Sequence, residues 1–462
     1  MSTMEQVEVG KYQPYPEYKD SGVEWLGDIP SNWSVYSLKR SVTGCTNGIW
    51  GDEPNGENDL IVLRVADFDR NKLRISDDKL TYRSISEKES RSRLLAKGDL
   101  LIEKSGGGDK TLVGCVVLFD KNFAAVTSNF VAKMSAHDGY YSGFLNYAFS
   151  HLYNGRINYP SIKQTTGIQN LDSESYLMER FCFPSYTEQR TIAAFLDYET
   201  ARIDKLIAQQ QRLIELLKEK RQAVISHAVT KGLNPDAPMK DSGVEWLGEV
   251  PEHWVVKKLK HTSKIIDCKN RTPEYFDDGA YFVVRTTNVK NQVLSFDGAL
   301  YTNEVNFKIW TERGVPPVGS ILFTREAPAG EVCIVPNNVK LCMGQRMMNF
   351  IPFESQYSTF LFDYLTSDCL GRYISSEAAG STVTHLRVEQ VYNIPVVVPP
   401  WNEQIEIDVL LTDIKQRYSL LIDKASETIS LIQERRTALI SAAVTGKIDL
   451  RGWTAPTQEA AA

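Results

Sequence analysis

Lys19-Asp-Ser-Gly-Val-Glu-Trp-Leu-Gly27 recurs without a change as Lys240-Asp-Ser-Gly-Val-Glu-Trp-Leu-Gly248, 221 residues later. The likeness continues beyond these nine residues, because Trp33 recurs as Trp254 at the same offset. A repeat with so long a period indicates a duplicated domain rather than a solenoid of short units. The chain is therefore predicted to contain one structural module twice.

A second pair of matching segments lies at the far end of each module. Pro184-Ser-Tyr-Thr-Glu-Gln189 is matched by Pro399-Pro-Trp-Asn-Glu-Gln404, 215 residues later. A proline and a short polar turn, with Thr187 or Asn402 as the N-cap, followed by Glu-Gln, are typical of a helix start. Each module is therefore predicted to end in a helix.

Both predicted helices are long and repeat one apolar pattern. Apolar residues recur every three or four positions, as in a coiled-coil seam with polar interruptions. Such a helix would reach roughly 65 Å and needs a partner to bury its apolar stripe, so we expect the two helices to pair. The predicted seam positions are Ile192, Leu196, Ile203, Leu206, Leu213, Leu217 and Val224, and Ile407, Leu411, Tyr418, Leu421, Thr428, Ile432 and Leu439.

A second apolar stripe widens this face in both helices. The pattern leaves two interpretations open, namely packing on the neighbouring domains or binding of another subunit. The candidate subunit-binding residues of this stripe are Ile207, Ile214, Ile225, Ile422, Ile429 and Ile440.

The segments between the matching borders have similar lengths but mostly different sequences. Short β-branched runs bounded by Gly, Asn and Asp predict a strand-rich, mixed α/β domain in each, hence an α+β fold class. The predicted division is a first domain with its N-terminal segment (1–186), a long helix (187–231), a linker (232–239), a second domain (240–398), a second long helix (399–446) and a C-terminal tail (447–462).

Composition restricts the class of protein. The 462 residues are 42% apolar and 24% charged, as in ordinary soluble proteins with two or three domains. No apolar run is long enough for a membrane span and the N-terminus lacks a signal-peptide pattern, so we expect a cytoplasmic protein. The net charge of -6 argues against a general polyanion-binding protein.

No catalytic or metal site is predicted. The loop Ser105-Gly-Gly-Gly-Asp-Lys-Thr111 resembles a phosphate-binding loop, but Lys104 and Asp109 occupy the two positions where the motif requires glycine. The six histidines form no metal-binding spacing, and the seven cysteines form no C-x-x-C pair.

The order of these segments resembles the DNA-specificity subunits of type I restriction-modification enzymes. The resemblance implies a noncatalytic subunit with two target-recognition domains, related by a pseudo-twofold and separated by two long, antiparallel, coiled-coil-like helices. Each domain would recognise one half of an asymmetric bipartite DNA site. The residues that carry the resemblance are the borders Lys19–Trp33 and Lys240–Trp254, the helix starts Glu188-Gln189 and Glu403-Gln404, and the helix ends Ala228-Val-Thr230 and Ala443-Val-Thr445.

The same resemblance implies a set of partners. These are double-stranded DNA, two methyltransferase subunits that bind the helices, and motor-nuclease restriction subunits in the full complex. S-adenosylmethionine, ATP and Mg would belong to those subunits, with no cofactor in this chain. Because the net charge is -6, we expect weak DNA binding by the chain alone. The alternative is a duplicated protein-binding scaffold without a DNA role.

Recognition of bases requires side chains with fixed donor and acceptor patterns, such as Arg or Lys for guanine and Asn or Gln for adenine. Predicted loops of both domains supply candidates, for which a phosphate contact or a solvated charge is the alternative role. The candidate DNA-binding residues are Asn47, Lys104, Lys110, Lys163 and Gln164 in the first domain, and Lys269, Asn270, Arg271, Arg325, Gln345 and Arg346 in the second.

Overall fold

A computed structural model describes residues 12–106, 111–165, 167–269, 271, 273–326, 328–377 and 385–456. The chain divides into two compact units. Unit 1 extends to Gln209 and resumes at Thr428, whereas unit 2 comprises Gln210–Glu427. Each unit therefore contains the first part of one long helix and the last part of the other. Both units are mixed α/β, as predicted from the sequence.

Unit 1 is rich in short strands. Its helices are α1 (Glu87–Ser90), α2 (Ser142–Asn154), α3 (Ser173–Leu177) and the first part of α4 (Tyr186–Lys231), with 3-10 turns at Leu38–Arg40, Val65–Asp67 and Tyr159–Ser161. Its strands are β1 (Tyr18–Asp20), β2 (Asp28–Pro30), β3 (Ser34–Ser37), β4 (Thr46–Asn47), β5 (Asp59–Leu63), β6 (Phe68–Asp69), β7 (Arg74–Ile75), β8 (Tyr82–Ser84), β9 (Leu100–Glu103), β10 (Ser105–Gly106), β11 (Val116–Leu118), β12 (Ala125–Thr127), β13 (Val131–Met134), β14 (Ile162–Thr165), β15 (Ile168–Leu171) and β16 (Arg180–Phe183).

Unit 2 repeats this plan with fewer strands among the described residues. Its helices are α5 (Glu304–Trp310), α6 (Tyr357–Thr366), α7 (Asp368–Glu377), α8 (Val388–Tyr392) and the first part of α9 (Trp401–Val444), with 3-10 turns at Leu259–His261 and Thr286–Asn288. Its strands are β17 (Met239–Asp241), β18 (Glu249–Pro251), β19 (Val255–Lys258), β20 (Ser263–Asp267), β21 (Tyr281–Val284), β22 (Val289–Lys290), β23 (Val293–Leu294), β24 (Tyr301–Thr302), β25 (Ile321–Thr324), β26 (Val332–Ile334), β27 (Leu341–Met343), β28 (Met347–Pro352) and β29 (Pro395–Val398).

The sheets of the two units correspond strand by strand. The antiparallel order β4-β13-β9-β11 of unit 1 returns as β20-β28-β25-β26 in unit 2. The small sheet β12-β5-β8, with one parallel and one antiparallel pairing, returns as β27-β21-β24. All four residues of the central strands β9 and β25 are buried, in keeping with the three consecutive apolar residues that begin each strand. The repeat therefore extends to segments whose sequences have diverged.

The repeated tryptophan and glutamate bind each other. The indole Nε1 of Trp33 donates to Glu188 Oε1 at 3.0 Å, and that of Trp254 donates to Glu403 Oε2 at 2.8 Å. Both indoles are fully buried. A buried N–H requires an acceptor, so the two repeated borders of each module are joined by one hydrogen bond.

The glutamine that follows each glutamate stabilises the helix start. Gln189 Nε2 donates to the carbonyl oxygen of Pro184 at 3.0 Å, and Gln404 Nε2 donates to that of Pro399 at 2.8 Å. The predicted N-cap Thr187 is wrong, because α4 begins at Tyr186 and the Glu188 N–H donates to Ser185 Oγ. Ser185 therefore takes the capping role.

The glycine that follows each long helix packs against the repeated tryptophan of the unit in which that helix ends. Gly446, after α9, lies against Pro30 and Trp33 in unit 1, and Gly232, after α4, lies against Pro251 and Trp254 in unit 2. Both glycines have a positive φ, which favours glycine after a helix C-terminus.

The long helices run antiparallel within unit 1. The helix start at Glu188 and the turn at Gly446, beyond the end of α9, both contact Trp33. Further along the two helices, Asp204 pairs with Arg436 at 3.6 Å. One helix therefore starts in unit 1 where the other ends.

Burial along the helices follows the two cores rather than one continuous seam. Ile192, Leu196 and Ile203 pack in the core of unit 1, and Ile407 and Leu411 in the core of unit 2. The seam prediction is wrong at Leu206, Leu213 and Leu421, whose side chains are exposed. The physical reason is that each domain core covers only the ends of the helices.

The second apolar stripe divides in the same way. Ile225 is buried in the core of unit 2 and Ile440 in that of unit 1, so packing on the domain is the interpretation that fits these two residues. Their assignment to a subunit-binding surface is corrected accordingly. The other four candidates, Ile207, Ile214, Ile422 and Ile429, are half-buried.

Candidate nucleic-acid interface

Three backbone hydrogen bonds join the ends of neighbouring strands in unit 1. The Lys104 N–H donates to the Phe130 carbonyl at 2.8 Å, and the Leu171 N–H donates to the Lys104 carbonyl at 2.8 Å. The Gly48 N–H donates to the Val131 carbonyl at 3.2 Å. These bonds bring together a set of polar and aromatic side chains that we call the unit 1 cluster, comprising Asn47, Lys104, Ser105, Phe130 and Asn170.

The side chains of the unit 1 cluster are linked to one another. Lys104 Nζ donates to Asn47 Oδ1 at 2.9 Å, and Ser105 Oγ donates to Asn170 Oδ1 at 2.6 Å. Arg93 Nε donates to the Asn47 carbonyl at 3.1 Å and adds a second cation. The cluster thus combines amide groups with positive charge, the groups that bind base edges and phosphates.

The remaining described candidates of the first domain lie on the adjoining hairpin. Lys163 and Gln164 on β14 pair across from Asn170 and Gln169 on β15, and β15 pairs with β10. Both candidate side chains are exposed, and Lys163 Nζ contacts Asp172 Oδ2 at 2.9 Å. The structure therefore brings four candidates to one end of unit 1, whereas Lys110 lies outside the described residues.

Unit 2 contains the same three backbone hydrogen bonds. The Arg325 N–H donates to the Arg346 carbonyl at 2.8 Å, and the Cys268 N–H donates to the Met347 carbonyl at 3.2 Å. The Leu386 N–H donates to the Arg325 carbonyl at 3.0 Å. The corresponding side chains of Arg325, Glu326, Arg346 and His385, together with Lys269, form the unit 2 cluster, and Asp267 occupies the position of Asn47.

Carboxylates neutralise part of the charge of the unit 2 cluster. Lys269 Nζ contacts Glu312 Oε2 at 2.6 Å, and Arg346 Nε contacts Glu326 Oε2 at 3.0 Å. Burial raises the pKa of the nearby Asp267, and the positive charge of Arg325 opposes that rise. Arg271 is exposed, Gln345 is half-buried, and Asn270 lies outside the described residues.

Arg325 differs from its expected exposed position. Its side chain is only 11% exposed and its Nη2 lies 3.7 Å from Glu326 Oε1. An arginine held inside by neighbouring carboxylates cannot contact a base edge without leaving them. In this conformation Arg325 lies beneath the surface of the cluster, whereas the side chain of Arg346 is exposed and accessible to a ligand.

Six residues of the interface were not among the sequence-based candidates: Arg93, Ser105, Phe130, Asn170, Glu326 and His385. An internal alignment anchored on the repeated strands would have found Phe130, because it occupies the position of the candidate Arg346. Glu326 and His385 form an isolated antiparallel bridge, which corresponds to the pairing of Ser105 with Asn170 in unit 1. Local sequence carries no signal for such long-range pairing.

Metal and membrane sites find no support in the part of the chain that the structure describes. The described residues contain no group of His, Cys, Asp and Glu suited to a metal ion. Among the same residues, no helix combines the length and apolar character needed to cross a membrane.

Comparison with known sequences finds that the chain is similar to one family of proteins. The sequence model of the type I restriction modification DNA specificity domain matches residues 251–429. The chain is 23% identical over 438 residues to the putative type I restriction enzyme MjaX specificity subunit of Methanocaldococcus jannaschii, covering 92% of this chain and 96% of that protein. It is also 23% identical over 407 residues to the EcoKI specificity subunit of Escherichia coli K12, covering 82% of each.

Solved structures share the fold. A chain from a structural study of complex assembly and conformational transition in a type I R-M system has a TM-score of 0.66 at 14% identity, covering 91% of this chain and 99% of that one. The HsdS subunit from Thermoanaerobacter tengcongensis has a TM-score of 0.50 at 15% identity, covering 91% and 98%. The sequence matches confirm the predicted resemblance to the specificity subunits of type I restriction-modification systems, and the solved structures show the same fold.

Proposed function

We propose that this noncatalytic subunit recognises an asymmetric bipartite DNA site, one half through the unit 1 cluster and the other through the unit 2 cluster. The observation that carries the proposal is the common backbone framework of the two clusters, which presents different side chains at matched positions. Lys104 corresponds to Arg325, Phe130 to Arg346 and Asn170 to His385. A shared framework with different side chains suits the recognition of two different base sequences.

The partners follow from the family and from the exposed part of the helices. We propose that two methyltransferase subunits bind exposed leucines of α4 and α9, with the half-buried Ile207, Ile214, Ile422 and Ile429 beside them. Exposed apolar side chains grouped in this way along a helix are typical of protein interaction sites. Motor-nuclease subunits would join the full complex, and S-adenosylmethionine, ATP and Mg would be bound by these partners. The exposed leucines of this surface are Leu206, Leu213, Leu216, Leu420 and Leu421.

An exchange of the second domain tests the bipartite proposal. Residues 240–398 are replaced by the corresponding domain of another family member, and the variant is assembled with its methyltransferase subunits. We expect a change in only one half of the methylated sequence, because the unit 1 cluster is untouched. The measurement is the mapping of methylated adenines in exposed genomic DNA.

The unmodified complex serves as the control for the domain exchange. Retained methylation at the unchanged half shows that the hybrid chain is folded and assembled. A change in both halves, or in neither, would contradict the assignment of one half-site to each unit.

The charge of Lys163, on the hairpin that adjoins the unit 1 cluster, gives a second prediction. In the assembled complex, log affinity falls as log salt concentration rises. Lys163→Ala is expected to reduce the steepness of this fall by about 1, because one phosphate contact is lost. Lys72→Ala is the matched control, since Lys72 follows β6, and β6 and β4 are the two edge strands of the sheet β4-β13-β9-β11-β7-β6. Equal slopes for the two variants and the unmodified complex would remove Lys163 from the interface.

A further inference from the structure

Phe130 and Arg346 occupy the same backbone position in the two units. Each carbonyl accepts a hydrogen bond of 2.8 Å from the residue that follows the buried central strand, Lys104 or Arg325. The carbonyl of the next residue, Val131 or Met347, accepts a hydrogen bond of 3.2 Å in both units. The donor is the N–H of Gly48, which follows β4, or of Cys268, which follows β20. The backbone framework therefore places the two side chains at equivalent positions, each at the end of the sheet of its own unit.

Both side chains extend into solvent. Phe130 is 52% exposed, and the side chain of Arg346 is 51% exposed. A phenylalanine is ordinarily among the more buried residue types, so its exposure beside Lys104 and Asn47 is informative. Arg346 has a φ of +67°, which is uncommon for a residue with a side chain and is found often at functional sites.

The two side chains suit contacts with different bases, because one is a cationic hydrogen-bond donor and the other is apolar. Glu326 Oε2 holds Arg346 at Nε, and within the described residues the Nη groups have no acceptor. A guanidinium fork oriented in this way matches O6 and N7 of guanine in the major groove. Phe130 offers an apolar ring, which suits the C5-methyl group of thymine.

We propose that Phe130 and Arg346 are matched specificity-determining residues for the two half-sites. Phe130 contacts the methyl group of a thymine in the half recognised by unit 1. Arg346 donates to O6 and N7 of a guanine in the half recognised by unit 2, and Glu326 positions its side chain. This inference rests on the proposed bipartite function.

Base analogues test the proposal on the assembled complex of this chain with its methyltransferase subunits. Methylation rates are measured on duplexes in which each thymine in turn is replaced by deoxyuridine, or each guanine by 7-deazaguanine. Deoxyuridine at one position of the first half should slow the unmodified complex roughly tenfold, and 7-deazaguanine at one position of the second half should do likewise. Phe130→Ala should abolish the first effect alone and Arg346→Ala the second alone.

Two further variants separate recognition from folding. Phe130→Leu retains an apolar side chain and should keep the preference for thymine over deoxyuridine. Glu326→Gln should weaken the discrimination at the guanine position while leaving the first half unchanged, because Glu326 holds Arg346 and lies in unit 2.

Each outcome has a definite meaning. If Phe130→Ala and Arg346→Ala keep both analogue effects, the matched residues do not contact these bases and the inference is overturned. The bipartite function would still stand in that case, because the domain exchange tests it independently. If the exchange fails to alter one half alone, the proposed function falls, whatever the analogue rates show.

Discussion

Trp33→Ala is expected to destabilise unit 1 by about 3–5 kcal/mol, the usual cost of truncating a buried tryptophan. The indole is fully buried and lies against Gly446. It contacts the ring of Tyr15 in an edge-to-face arrangement, with 5.8 Å between the ring centroids. Its removal also deletes the donor to Glu188, a buried carboxylate. Since domains are stable by only about 5–15 kcal/mol, the loss amounts to a large part of the stability of unit 1.

Hydrogen–deuterium exchange of the full chain measures this effect unit by unit. Amides of unit 1 should lose protection in Trp33→Ala, and amides of unit 2 should lose protection in the matched variant Trp254→Ala. Trp33→Phe keeps most of the apolar contact and should cost less, because only the N–H and part of the ring are lost. If Trp33→Ala leaves the exchange rates of unit 1 unchanged, the pairing of indole and carboxylate does not hold the borders together.

The borders and helices of each module could be predicted from the sequence because their signals are local and appear twice. The tryptophan, the glutamate and the glutamine recur at fixed offsets, and each has a defined hydrogen-bond partner. Helix starts are likewise encoded within a few residues. Agreement between two copies reduces the ambiguity that a single copy would leave.

The composition of the two clusters could be predicted only in part. Loops rich in Lys, Arg, Asn and Gln pointed to strand ends that the structure brings together in each unit, but not to the orientation of each side chain. Arg325 is turned inward by carboxylates, including Glu326, and Phe130 is turned outward although it is apolar. Both features depend on tertiary contacts that residue type alone does not specify.

The segment after α9 shows the same limit. Residues 447–462 were expected to form a tail, yet Ile448 and Leu450 are buried in the core of unit 1. The Asp449 N–H donates to the Gln13 carbonyl at 2.8 Å, which joins the two ends of the chain within that unit. A contact between residues so far apart in sequence leaves no periodic pattern to detect.

Truncation of the chain after Gly446 is therefore expected to destabilise unit 1 by about 3–6 kcal/mol, since two fully buried aliphatic side chains each contribute about 1.5–3 kcal/mol. The truncation also removes the hydrogen bond from Lys447 Nζ to the Asp28 carbonyl, at 2.8 Å. Trp453, whose ring packs edge-on against Phe195 at 5.5 Å, is lost as well. In unit 2 the residue after Gly232 is Leu233, which is exposed, so unit 2 should not depend on its linker to the same degree.

Exchange protection again distinguishes the two units. The truncated chain should lose protection in the first part of α4 and the last part of α9, while α6 and α7 in unit 2 keep theirs. Leu450→Ala should produce a smaller loss in the same amides, and Gly452→Ala should be neutral because no atom lies within 4 Å of its added Cβ. Unchanged protection after truncation would mean that residues 447–453 contribute nothing to the core of unit 1. The matched glycines would then mark only the ends of the helices, and the segment beyond Gly446 would have no structural role in holding the unit 1 cluster in place.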